Sequence, residues 1–173
     1  ILSDGDELAL IPPSSGGDVG PAEDADAPPE FGWVLQHELL DPRTLEEAVR
    51  TDADGAVITF HGVTRNHNEG DAVLSLRYEA YAPMVGKVLE RLFEEAKGRF
   101  EITRARIAHR LGEVPVGEAS VIVVVSSAHR GPSFEGARYL MDELKKQAPI
   151  FKQELLDDGA GGSRWVGDLP ELP

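Results

Sequence analysis

ASVIVVVSSAHRGPSFEGARYLMDELKKQAP, residues 119–149, decides the fold. Ala119 to Ser126 is a near-continuous run of β-branched residues, the pattern of a strand buried on both faces. Gly131-Pro132 then opens a helix. Phe134, Ala137, Leu140, Met141 and Leu144 recur at helical spacing as its core face, and Pro149 stops it. Upstream, the folded body begins near Phe31. Trp33 to Leu40 reads as a strand, and Asp41-Pro42 supplies an N-cap and a first-turn proline for a helix to about Thr51. Ala56 to Val63 is a strand, 65–70 a polar loop, and Val73 to Tyr81 an alternating strand expected to pair with it. Pro83 to about Gly98 is amphipathic, with Val85, Val88, Leu89, Leu92, Phe93 and Ala96 on one side. Ile102 to Leu111 is a strand, followed by a turn around Pro115-Val-Gly117. Downstream, Ile150 to Leu155 is a short strand, 159–162 a turn, and Ser163 to Val166 an edge segment. The order is mixed α+β, with about three helices and mixed sheets.

The chain has 173 residues, enough for one ordinary domain. Its longest apolar run, Val121 to Val125, falls far short of the roughly 20 residues a membrane helix needs. With no basic and apolar leader pattern, a cytoplasmic protein is expected. The chain does not open with Met, so Ile1 is not read as a natural start. Cysteine is absent. That excludes disulfides, thiolate metal sites and a catalytic thiol, so any sulfur chemistry must bring its sulfur on another molecule.

The net charge of −14 is unevenly spread. Residues 1–30 hold eight acids and no Lys or Arg, whereas the other 143 residues carry 17 bases and 23 acids. Neither part has the basic stripe of a nucleic-acid binder. Residues 12–30, PPSSGGDVGPAEDADAPPE, are too poor in apolar side chains to build a core and read as linker. Before them, Asp4-Gly5-Asp6 is a turn signal and Leu8 to Ile11 a short apolar strand.

Four polar clusters are candidates for chemistry. They are Arg65-Asn-His67-Asn at a strand end, Ser127-Ala-His129-Arg130 between the buried strand and its helix, Lys145-Lys146 in that helix's last turn, and Lys152 beyond Pro149. Each has a plain alternative. His67 suits a solvated turn, the helix-end lysines are favoured by the dipole alone, and Lys152 can point to water from an edge strand. His129-Arg130 stands where free backbone N–H groups hold anions, though an arginine paired with a nearby carboxylate is an equal reading. The five histidines show no metal-ligand spacing, so no metal or cofactor is expected. Pattern alone gives a soluble α+β domain with a cationic, anion-binding pocket.

Longer motifs carry more. GAVITFHGVTRNHNEGDAV (55–73), LRYEAYAPM (76–84), AHRLGEVPVGEASVIVVVSSAHR (108–130), FEGARYLMDELKKQAPIFKQE (134–154) and SRWV (163–166) together resemble the large, catalytic subunit of molybdopterin synthase. The resemblance implies the α/β-hammerhead fold and a place in molybdenum cofactor biosynthesis. It implies conversion of cyclic pyranopterin monophosphate to molybdopterin, with sulfur from the thiocarboxylate of a ubiquitin-like carrier, and a homodimer core within a heterotetramer. Carried over by motif, Arg65, His129, Arg130, Lys145 and Lys152 are expected to form one pocket lined by Phe60 and Met141. Lys145 is the expected proton-transfer group and Lys152 its charge partner, both catalytic. The alternative is a dimeric module that binds the carrier tail without turnover.

LSDGDELALIPPSSGG (2–17) resembles the last strand and Gly-Gly tail of the carrier itself. That makes 1–17 an incomplete carrier remnant ending in Gly16-Gly17, 18–30 a linker and 31–173 the catalytic domain. A thiocarboxylate needs a free terminal carboxyl group, so cleavage after Gly17 is expected.

Overall fold

The computed structural model describes residues 29–157 and 161–166. Gly16, Gly17 and the rest of the carrier-like stretch lie outside the described residues, as does most of the linker. In chain order the elements are β1 (Phe31–Gln36), α1 (Pro42–Val49), β2 (Ala56–Val63), β3 (His67–Asn68), β4 (Asp71–Ala80), α2 (Ala82–Arg99), β5 (Arg104–Arg110), β6 (Gly112–Pro115), β7 (Ala119–Ser127), α3 (Arg130–Gln147), β8 (Ile150–Leu156) and β9 (Ser163–Val166). They form a mixed α+β fold of two sheets and, among the described residues, three helices. None of these helices is long and apolar enough to cross a membrane.

The valine run explains the first sheet. Its order is β1-β5-β7-β2, with β1 parallel to β5 and the other pairs antiparallel. Val121, Val123 and Val125 face the main core with α2 and α3, while Ile122 and Val124 pack with Val49 of α1. A strand covered on both faces has no polar side to alternate with, hence the unbroken run. Helix α1 starts as its sequence dictates. Asp41 accepts a 3.0 Å hydrogen bond from the Arg43 N–H, and Pro42 occupies the first turn.

The second sheet is antiparallel, with β8 between β4 and β9, and β3 and β6 along the other edge of β4. The expected β2–β4 hairpin does not form: β2 pairs with β7 and β4 with β8. Strand β2 packs Val57 and Ile58 into opposite cores, so it needs a place in the covered sheet. Strand β4 alternates, with Val73 and Ser75 buried and Leu74 exposed, which suits a sheet with one wet face. A bulge at Gly62/Val63 and a separate small hairpin divert the chain between them. In that hairpin Glu69 and Gly70 both have positive φ, 50° and 96°, as a two-residue turn of the I′ type requires.

Three further expectations change. Residues 112–115 pair with β4 as a strand. Lys152 lies on β8, an interior strand of its sheet and not an edge. Phe134 is 58% exposed. The buried stripe of α3 runs instead through Ser133, Gly136, Ala137, Leu140, Met141 and Leu144. Ser133 and Gly136 escape a search for large apolar residues. At the entry to β1, buried Arg106 donates to the carbonyls of Pro29, Glu30 and Ala105. Burial pulls its guanidinium down to about 10.

The close seat of α3 on the sheet makes a stability test. A Cβ on Gly136 would come 2.8 Å from Ile102 Cγ2 and 3.5 Å from Val125 Cγ1. Gly136→Ala is expected to cost about 1–3 kcal/mol by overpacking, read as a lower urea midpoint. Gly98→Ala, with nothing within 4 Å of the added carbon, should leave the midpoint unchanged or raise it.

Candidate active site

Helix α3 ends at Gln147 and β8 begins at Ile150. This tight junction, made where Pro149 ends the helix, brings Lys145 and Lys152 to the same cavity of about 1190 Å³. Arg65, just past the β2 bulge, lines it too, as do Phe60 and Met141. Five of the seven expected site residues therefore meet in one place.

The charge of the cavity is set by which groups are already matched. Lys146 donates to Glu143 at 2.7 Å. Lys152 is a third exposed and only 4.0 Å from the nearest Glu154 oxygen. The side chains of Arg65 and Lys145 have no hydrogen bond or ion pair to another described residue. Glu79 also borders the cavity. The balance still leaves unmatched positive charge aimed at open space, which is what an anionic ligand requires.

Glu154 is the anchor. Its side chain is 2% exposed and accepts from Asn68 Nδ2 at 2.8 Å and from Arg164 Nε at 3.0 Å. Arg164 also reaches Asp71 at 2.6 Å and the Asn68 carbonyl at 3.4 Å. Its hydrogen bond to Glu154 leads in raising the Arg164 guanidinium above its usual value. Register explains the cluster: Glu154 faces Arg164 across β8 and β9, and Lys152 faces Tyr78 across β8 and β4. One carboxylate thus ties together the hairpin after Arg65, the strand of Lys152 and the final strand.

The cavity floor is neutral. His109 is 6% exposed, its Nδ1 lies 2.9 Å from the Arg110 carbonyl, and its ring meets Tyr78 edge-to-face at 4.8 Å. Burial drives the imidazole down to about 4. Burial also raises the Tyr78 phenol, opposed by the Ser120 hydroxyl and assisted by Glu154. Neither residue was a sequence candidate, nor was Glu154 or Arg164, whereas Asn68 stood in the polar cluster that begins at Arg65. Among the described residues no cluster of three or more His, Asp or Glu side chains could hold a metal ion.

His129 and Arg130 do not join the other five within one chain. They line a separate recess of about 590 Å³ with Gly55, Ala128, Gly131 and Pro132. The register places this recess beside Ala56, the beginning of β2, whereas the main cavity touches Phe60 and Val63 near its end. The recess is tightly built. Ser127 Oγ donates to the His129 carbonyl at 2.6 Å, and a Cβ on Gly55 would lie 2.5 Å from the Ala128 oxygen.

Fold and pocket define an α+β protein with one large cavity lined by Arg65, Lys145 and Lys152. The MoaE protein family matches residues 35–147. The molybdopterin synthase catalytic subunit of Oryza sativa subsp. indica is 46% identical over 120 residues, covering 69% of this chain and 62% of the relative. The subunit of the same name from Escherichia coli K12 is 44% identical over 115 residues, covering 66% of this chain and 75% of the relative. The crystal structure of molybdopterin synthase from Staphylococcus aureus superposes with a TM-score of 0.71 at 30% identity, covering 78% of this chain and 96% of that one. The chain belongs to the MoaE protein family. It spans under two thirds of the length of the rice relative.

His109 gives the site a pH signature. Its folded-state value lies below the ordinary 6.5, so the unfolded chain takes up the proton first as pH falls. The stability contributed by neutral His109 is complete above about pH 6.5 and is lost progressively toward pH 4, roughly 3 kcal/mol in all. Urea melts of wild type should show this decline across that window, and His109→Asn should flatten it.

Proposed function

We propose that the protein is a molybdopterin synthase catalytic subunit, acting on cyclic pyranopterin monophosphate with sulfur from a carrier thiocarboxylate. The observation that carries this reading is the set of cations, Arg65, Lys145 and Lys152, in one cavity, the first two without a carboxylate partner. The substrate phosphate and the carrier tail's terminal carboxyl group are both anionic and both have to enter. Arg65 suits a two-point contact with an oxyanion. Lys145, without a carboxylate partner, is free to move a proton to or from the reacting centre. Lys152, beside Glu154, is placed to contact the bound anion. A dithiolene has two sulfurs and a thiocarboxylate brings one, so the cavity has to admit a carrier tail twice per product.

A two-fold dimer accounts for His129 and Arg130. Among the described residues, strand β2 is an open edge of its sheet. Antiparallel pairing of β2 with its symmetry mate sets the beginning of one strand beside the end of the other. The eight residues of β2 span roughly 25 Å, so the exchange carries the His129–Arg130 recess of one protomer toward the partner's cavity. The contact is isologous, as closed dimers require.

The second reading, a dimeric module that holds the carrier tail without turnover, does not need Lys145 and Lys152 together in the cavity. Incubation with precursor and thiocarboxylated carrier separates the two readings. Wild type should form molybdopterin. Lys145→Ala should lower the rate at least 100-fold with a melting temperature within a few degrees of wild type. Lys152→Ala should act about tenfold or more on KM. Near-normal turnover by Lys145→Ala would exclude its role.

Residues 2–17 we assign to the tail of the sulfur carrier, followed by a linker to residue 30. Gly17 is joined to Asp18 by a peptide bond, so sulfur loading there requires cleavage. Mass spectrometry of protein from its native host should find a catalytic chain starting at Asp18. Uncut protein that itself makes molybdopterin would contradict this.

A further inference from the structure

Cations explain how the cavity holds an anion but not how it recognises the rest of a ligand. His109 addresses that second task. The Arg110 carbonyl can only accept, so the 2.9 Å contact to His109 Nδ1 puts the ring proton on Nδ1. In the neutral ring Nε2 then carries a bare lone pair. No described residue donates to it, and the ring borders the cavity. The surrounding floor is uncharged: Tyr78 packs edge-on against the imidazole, and Val121 and Gly62 follow it across the sheet. As an acceptor open to the cavity, Nε2 can take a hydrogen bond from a ligand N–H or O–H.

We infer that His109 Nε2 accepts a hydrogen bond from a ring N–H or amino group of the substrate, making it the specificity residue for the heterocycle while the cations hold the phosphate. This rests on the functional reading above, because a pterin ring offers such donors on its pyrimidine edge. The division of labour has a physical logic. A cationic imidazole would add to phosphate binding but repel an N–H donor, whereas a neutral one discriminates by hydrogen-bond direction. Loss of such a contact leaves a buried polar group unpaired, which is how sites reject close analogues.

Two substitutions separate the ring's two nitrogens. In His109→Asn the side-chain amide can still donate to the Arg110 carbonyl, but nothing remains at the Nε2 position. His109→Gln can present its amide oxygen near Nε2. Calorimetric titration with cyclic pyranopterin monophosphate should show about tenfold weaker binding by His109→Asn and recovery to within about threefold by His109→Gln. Titration with sulfate, an anion without donors at neutral pH, should be the same for all three proteins. Wild type should also bind a pterin methylated at its ring nitrogen and amino group about tenfold more weakly than the unmodified pterin, a measurement that needs no variant to fold. Wild-type precursor affinity in His109→Asn, equal loss of precursor and sulfate, or indifference to methylation would overturn the inference alone. Failure of wild type to bind the precursor would overturn the functional reading, and the inference with it.

Discussion

A carboxylate taken out of water has to be matched, and the site is organised around the matching of Glu154. Its two oxygens receive Asn68 and Arg164, with Lys152 at 4.0 Å. These partners come from three separate segments, so satisfying one buried charge fixes their relative positions. Removing Arg164 would leave the buried carboxylate under-compensated, an effect that solvent screens in part because Arg164 is itself partly exposed. The geometry matters more than the energy. The strand of Lys152 is held in register with the hairpin that follows Arg65, so two cations far apart in sequence keep a constant separation.

With Glu154 committed inward, Glu79 is the remaining acid of the lining, against the cations Arg65, Lys145 and Lys152. Lys146 is occupied by Glu143, whose carboxyl is held below its usual range chiefly by that lysine's hydrogen bond. Arg65 and Lys145 remain for a ligand. Beneath them Tyr78 and His109 stay uncharged, because burial opposes ionisation of both. A ligand with an anionic end and a planar, donor-bearing body matches these two halves. His129 and Arg130 line a second recess at the other end of β2.

Much of this was legible in the residues. The valine run announced a doubly covered strand. Asp41-Pro42 announced a helix start, and the apolar spacing of Val85, Leu89, Leu92 and Ala96 announced α2, all of which are buried. Family motifs pointed to Arg65, Lys145 and Lys152 before any geometry. Pairing was less legible. Strand β4 follows β2 in sequence, yet β2's two-sided apolar character sends it to a different sheet. The roles of Glu154 and Arg164 depend on the register of β8 with β9, which no local pattern encodes. Ser133 and Gly136 are core positions of α3 because the helix sits close to the sheet, and smallness is a weak signal beside Phe134. His109 lay inside an ordinary strand, where only burial beside Tyr78 and the cavity reveals it. The separation of His129 from Lys145 belongs to tertiary geometry, since motif order says nothing about which recess a residue lines.

In the proposed function, Arg65 and the lysines flanking the α3–β8 junction hold the anionic end of a pterin phosphate. A crystal structure of the protein with cyclic pyranopterin monophosphate tests it most directly. The account predicts the phosphate within hydrogen-bonding distance of Arg65, Lys145 or Lys152, with the ring toward Tyr78 and His109. A phosphate seated only in the His129–Arg130 recess, remote from every copy of Lys145 and Lys152, would contradict it.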